Sequence, residues 1–228
     1  MRQCLFVVLS WIASSWAVAA DLTPTEVRWL TGAAPVVAFA KDNKIPLDIV
    51  VQPQDTPGTA PLALGFVDGR CKLVLSMRGN PEAEATLARI EPDLLNAALE
   101  LMAAHELGHC RRHLDGSWLA LPAGLVAREP ATLSTEDREI YVQMRSTRRE
   151  EGYADLVGLA WAQRRHAPLY GRLHRWLLAE RSKDLIPGAH HDTLAWIQLA
   201  RDGRTLAGGS IFHGAAALWP QGLNRADP

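Results

Sequence analysis

Two different spacings of apolar residues divide this chain. Near the start, "DLTPTEVRWLTGAAPVVAFAKDNK" has the spacing of a helix, and its opening supplies the stop-and-start chemistry. Thr23 can cap, Pro24 suits the first helical position, and Glu26 completes a T-x-x-E capping box. "IPLDIVVQ" then reads as a strand between prolines. In "PLALGFVDGRCKLVLSM" two apolar runs flank Asp68-Gly69, a pair suited to the positive φ angles of a tight turn, so Leu62 to Val67 and Arg70 to Met77 are predicted to pair antiparallel. After Asn80 the pattern is helical or irregular. Long helices are predicted over about Asp93–His113 and Glu136–Arg165, a third over about Leu169–Ser182, and a fourth in "DTLAWIQLARDG". Few strands followed by many helices predict an α+β fold, a mostly helical body against a small antiparallel sheet.

Composition adds limits. The first twenty residues, with Arg2, an apolar run from Cys4 to Val18 and small residues at Ala19 and Ala20, have the pattern of a cleaved secretory signal peptide. That predicts a periplasmic or secreted protein whose residues 21–228 form one domain. With 24 Lys and Arg against 25 Asp and Glu, no basic field points to nucleic acid. The arginine pairs 111–112, 148–149 and 164–165 are expected on solvated helix faces. Past the leader, Cys71 and Cys110 allow one bridge in an oxidising compartment, or two buried thiols.

The chemistry lies in "LMAAHELGHCRRHLDG". It contains H-E-x-x-H, in which one helical turn puts His105 and His109 on the same face, where two imidazole nitrogens can reach one Zn²⁺. Glu106 falls beside that position, suited to take a proton from water. The apolar neighbours Leu101, Met102, Ala103, Ala104 and Leu107 argue against a solvated face. A catalytic zinc needs a third protein ligand and an open fourth position. A histidine six residues after His109 would supply it in one arrangement, but Asp115 stands there. His113 continues the series yet lies about 12 Å along the axis from His105, so it is expected to be an exposed cation at the helix end. "EEGYADLVGLAW" offers Glu151 and Asp155, four apart on one face, with Gly152 and Ala154 keeping the helix surface small. Glu151 would ligate and Asp155 would accept the free N–H of a ligating histidine, unless both are surface acids answering Arg148 and Arg149. Glu150, about 100° round the helix, is expected to matter little.

H-E-x-x-H followed some forty residues later by E-x-x-A-D resembles the HtpX/BepA-like gluzincin peptidases. The resemblance covers the two motif helices and the hairpin before them, and it implies a two-helix zinc site. His105, His109 and Glu151 would be the ligands, Glu106 the catalytic group, and Asp155 the partner of a ligand. The chain departs from that family at Tyr153, where a polar residue is more usual, and has neither the membrane spans of one type nor the helical-repeat domain of the other. The resemblance therefore speaks to the metal more than to the substrate. Family members often bring a histidine loop to the metal, and in "PGAHHDTLAW" His190 and His191 are candidates to steady an oxyanion or to serve as a removable fourth ligand.

Together these features predict a zinc-dependent endopeptidase acting on protein or peptide substrates, the substrate extended along the strand Cys71–Met77 by strand addition. The rival is a non-catalytic envelope protein with a structural zinc or a partner-binding role. "GSWLALPAGLVAREPATLS", between the motif helices, is too apolar for simple disorder. It is expected either to fold over the cleft as a lid, or touch a membrane surface beside it, or to fill the core under the helices.

Overall fold

The computed structural model describes residues 21–226, apart from residues 55, 126–133 and 184. The predicted leader lies outside the described residues. Helix α1 (Pro24–Asp42) begins with the anticipated capping box: Thr23 accepts from the Glu26 amide and the Glu26 carboxylate from the Thr23 amide. Strands β1 (Leu47–Pro53), β2 (Leu62–Val67) and β3 (Arg70–Arg78) follow, then α2 (Pro81–Ala88), α3 (Leu95–Leu114) and α4 (Thr135–Arg165). A 3₁₀ turn leads into α5 (Tyr170–Ser182), short α6 (Leu194–Leu199) comes next, and α7 (Ile211–Ala226) completes an α+β fold. Among the described residues no helix is long and apolar enough to cross a membrane.

The hairpin forms as the Asp-Gly turn requires, with φ of 52° at Asp68 and 72° at Gly69. The sheet as a whole differs from the expectation. Its order is β1-β3-β2, with β1 parallel to β3 and β2 antiparallel to it, so it is mixed. Alternation along a strand says which face is buried, not which strand lies alongside; here β3 inserts between β1 and β2. The expectation that Cys71–Met77 forms an edge is therefore wrong, because β3 is paired on both sides and has no main-chain groups to offer a peptide. The two edges are β1, beside α1, and β2, beside α3.

One hydrophobic core joins these layers. Cys71, Leu73 and Leu75 of β3 are fully buried toward the helices, and a Cys71–Cys110 disulfide pins β3 to α3. Helices α3 and α4 pack closely because small residues face each other. A Cβ on Gly108 would lie 2.9 Å from the Ala154 Cα, and one on Gly158 would lie 2.9 Å from the Leu101 carbonyl oxygen. On another side of α4, Gly152 makes room for Trp196 of α6, which is also held against Gly222 of α7. Gly108 stands between the motif histidines, so Gly108→Ala should force the helices apart at that level. Overpacking of this kind costs about 1–3 kcal/mol. Chemical denaturation of the variant should show such a loss; unchanged stability would mean the helices do not approach as closely as described.

Candidate metal centre

The packing of α3 on α4 brings His105, His109 and Glu151 together. One ligand atom from each lies within 4.8 Å of the others. The two imidazole Nε2 atoms are 3.1 Å apart, and the Glu151 oxygens lie 3.4 Å from His105 Nε2 and 3.3 Å from His109 Nε2. Ligand atoms bound tetrahedrally at about 2.0–2.1 Å would stand about 3.3–3.4 Å from one another. The spacing and the donor set both fit a metal ion, and these residues form a group that could hold one.

Two of the three candidate donors, His105 and Glu151, are oriented by hydrogen bonds from behind, whereas His109 Nδ1 is buried without a hydrogen-bond partner among the described residues. Asp155, 1% exposed, takes the Nδ1 side of His105 at 2.9 Å, which leaves Nε2 free of its proton for a metal. Without a metal, burial opposes charge on His105, but hydrogen bonds to Asp155 and Glu151 outweigh it and raise its pKa to about 10. Metal binding there would displace a proton. Burial likewise opposes ionisation of Glu151, yet the two histidines hold its carboxyl well below the usual carboxylate range. Glu106 behaves differently: burial dominates and its pKa is raised, the direction that suits a group that accepts and returns a proton.

Arg181 of α5 was not anticipated. Its guanidinium grips Asp155 through Nε and Nη2, at 2.9 and 2.8 Å, and reaches Glu151 at 3.2 Å. Burial works against the charge, but Asp155 and Glu151 hold its pKa above the ordinary value. Thr193 donates to Asp155 at 2.6 Å. One carboxylate thus joins a ligand on α3, an arginine on α5 and the residue that leads into α6. Arg148 does not answer Glu151 or Asp155 as a surface cation would; it is buried and reaches the Asp192 main-chain and side-chain oxygens at 2.6 and 2.9 Å. Those bonds hold the histidine loop. Of its two histidines, His191 faces the centre, with Nε2 3.9 Å from Glu151, while His190 is exposed and packs on the His191 ring. Nothing in the local sequence separated the two.

Three expectations change, and one open alternative is narrowed. His113 is not an exposed cation but half-buried between the rings of Phe66 and Trp118, with centroids 4.7 and 4.0 Å away, and burial lowers its pKa. Arg112, Arg148 and Arg149 are buried rather than solvated, while Arg164 and Arg165 are exposed as expected. Glu150, placed on an indifferent face, is 1% exposed and bound to Arg112 through two hydrogen bonds of 2.8 and 2.9 Å. For the segment after α3, of the two alternatives the packed one is favoured over a free lid in its described part, with Leu121 and Leu125 against the core. Leu119 donates its amide to Glu150 at 2.9 Å, Ala120 accepts from Arg112 at 2.7 Å, and Trp118 lies edge-on to His109. The part at 126–133 lies outside the described residues.

The centre opens on a cleft of about 600 Å³, lined among others by Glu106, Trp118, His191 and the β2 residues Leu62 to Leu64. No family model matches the chain, and no curated protein or solved structure is significantly similar to it.

Proposed function

We propose that this chain is a zinc-dependent endopeptidase of the periplasm or extracellular space, similar in site chemistry to the HtpX/BepA-like gluzincins. The observation that carries this reading is the position of Glu106, buried in the lining of a cleft and next in sequence to a His, His, Glu group at metal-ligand spacing. His105, His109 and Glu151 would hold the ion. Zinc bound there supplies Lewis acidity, polarising a substrate carbonyl and acidifying water. The other steps belong to the chain. Glu106 takes a proton from the attacking water as its oxygen bonds to the carbonyl carbon, then returns that proton to the departing amine nitrogen as the C–N bond breaks. Asp155 keeps His105 in one tautomer, and Arg181 holds both Asp155 and Glu151 in place.

The substrate would lie along β2. Pro61 accepts from the Ser76 amide, so Ala63, Gly65 and Val67 also point their main-chain groups at β3. Leu62, Leu64 and Phe66 then direct theirs to the open edge, and Leu62 and Leu64 line the cleft. An extended peptide can add there as another strand. The structural-zinc reading is less well supported, because its available fourth ligand, His191, is 59% exposed at its side chain and the centre remains open to the cleft.

Zinc-loaded protein incubated with an unstructured polypeptide should cleave it. Glu106→Gln should lower the rate by about 10²–10⁴-fold, the usual worth of a positioned proton-transfer group, while keeping its metal. Undiminished cleavage by that variant, or none by the wild type across a diverse peptide library, would overturn the reading.

A further inference from the structure

Beyond the metal the cleft continues, and its chemistry changes. On α3, Leu101 and Met102 precede His105 and Glu106 by one turn, about 6 Å along the axis. On α5, Leu177 precedes Arg181 by the same interval, with Trp176 beside it. Both helices thus step together from a charged level to an apolar one, and all of these residues line the same cleft. Leu62 at the start of β2 and Trp29 of α1 add to the apolar walls. The charged residues that also line the cleft there answer one another: Arg89 lies 3.3 Å from Glu180 and 3.6 Å from Glu82. Among the described residues the compartment therefore offers an incoming charge no free opposite charge, only the unpartnered indole N–H of Trp176.

We infer that this compartment, walled by Trp29, Leu62, Leu101, Met102, Trp176 and Leu177, is a specificity pocket for a large apolar side chain close to the scissile bond. The inference rests on the peptidase reading for the nature of the ligand, a peptide. Its position follows from two facts on either side of the cleft. The apolar level begins one helical turn from the metal ligands, within reach of a leucine or phenylalanine side chain whose carbonyl lies at the metal. Leu62, whose main chain faces the open edge of β2, also lines the cleft, so a peptide added to that edge passes the compartment's mouth. A charged side chain placed there would lose its water, and the Trp176 indole N–H, buried without a partner among the described residues, is a single neutral donor set against that loss.

Met102 is the residue to vary, since it is half-buried, lies outside the metal group and is a flexible filler. The test uses zinc-loaded Glu106→Gln protein and fluorescently labelled ten-residue peptides, alike except for one guest position holding Leu, Phe, Trp, Ala or Asp. Anisotropy titrations should show the Leu and Phe peptides binding on the order of tenfold or more tighter than the Ala and Asp peptides. Met102→Trp, which fills the compartment, should erase that preference, and Met102→Ala, which enlarges it, should shift the preference toward Trp. Equal affinity across the guests, no binding by any peptide, or a preference that neither Met102 variant alters would overturn the inference. Because binding is read without turnover, a wild type that fails to cleave sinks the peptidase reading alone, and the guest series still judges the pocket.

Discussion

Purified and equilibrated with zinc, the wild-type chain is expected to carry about one ion per molecule, and His105→Ala, His109→Ala and Glu151→Ala to carry none. The effect is large because three donors converge at 3.1–3.4 Å and removing any one leaves a pair that holds the ion poorly. Glu106→Gln should retain the metal, since that carboxyl is beside the donors and not among them. Asp155→Asn should weaken zinc binding about 10–100-fold, as expected for a group behind a ligand. It should also lower stability, because Arg181 and Thr193 share that carboxylate with His105. Elemental analysis and competition with a chelator read both effects. An empty Glu106→Gln protein beside a loaded His109→Ala protein would reverse the roles, and a loaded Glu151→Ala protein would return that acid to the surface class.

Glu150→Ala should cost about 3–5 kcal/mol of stability, the range for stripping one partner from a buried ion pair. The carboxylate accepts three hydrogen bonds, two from Arg112 and one from the Leu119 amide. The Arg112 guanidinium also lies 4.3 Å over the Trp219 ring, so the pair ties α3, α4, α7 and the segment after α3 into one unit. Without Glu150 the guanidinium is left in an apolar setting and the Leu119 amide loses its acceptor. Replacing both charges, as in Arg112→Met with Glu150→Leu, should cost less than either charge removed alone, because no buried charge is then left unpaired and only the Leu119 amide lacks its acceptor. Urea unfolding of the three variants decides it. A loss below about 1 kcal/mol for Glu150→Ala would place the pair with ordinary surface bridges. The same anchoring means that shortening the stretch from Trp118 onward removes the Leu119 and Ala120 bonds, so a stability loss is expected there as well.

Much of the architecture was legible because it rests on local rules. A T-x-x-E box preceded by no competing signal caps α1, and Asp68-Gly69 can hardly adopt anything but a tight turn. The long helices follow from their 3.6-residue periods, to within two residues at the ends. The pair His105 and His109 needs only the pitch of a helix to share a face, and Glu151 and Asp155 likewise. Cys71 and Cys110 could be named as partners, but only the packing of β3 on α3 makes them one.

What tertiary structure decided is which of several equivalent residues is used. Glu150 and Glu151 are neighbours of identical chemistry; rotation about the helix axis sends one to Arg112 and the other to the histidines, and that rotation is set by Gly108 on Ala154 and Trp196 on Gly152. Arg181 is one of several arginines on an ordinary helical pattern, and nothing local marks it until α5 brings it to Asp155. His191 was inseparable from His190, and β3 from β2 as an edge, for the same reason: both choices depend on neighbours distant in sequence. The sequence by itself determined the donor types and most elements, because those obey the helix and strand periods; α2 and α7 were not among the helices it predicted. The partners behind His105 and Glu151, the free strand edge and the apolar compartment beside Glu106 arise only when elements far apart in the chain pack together.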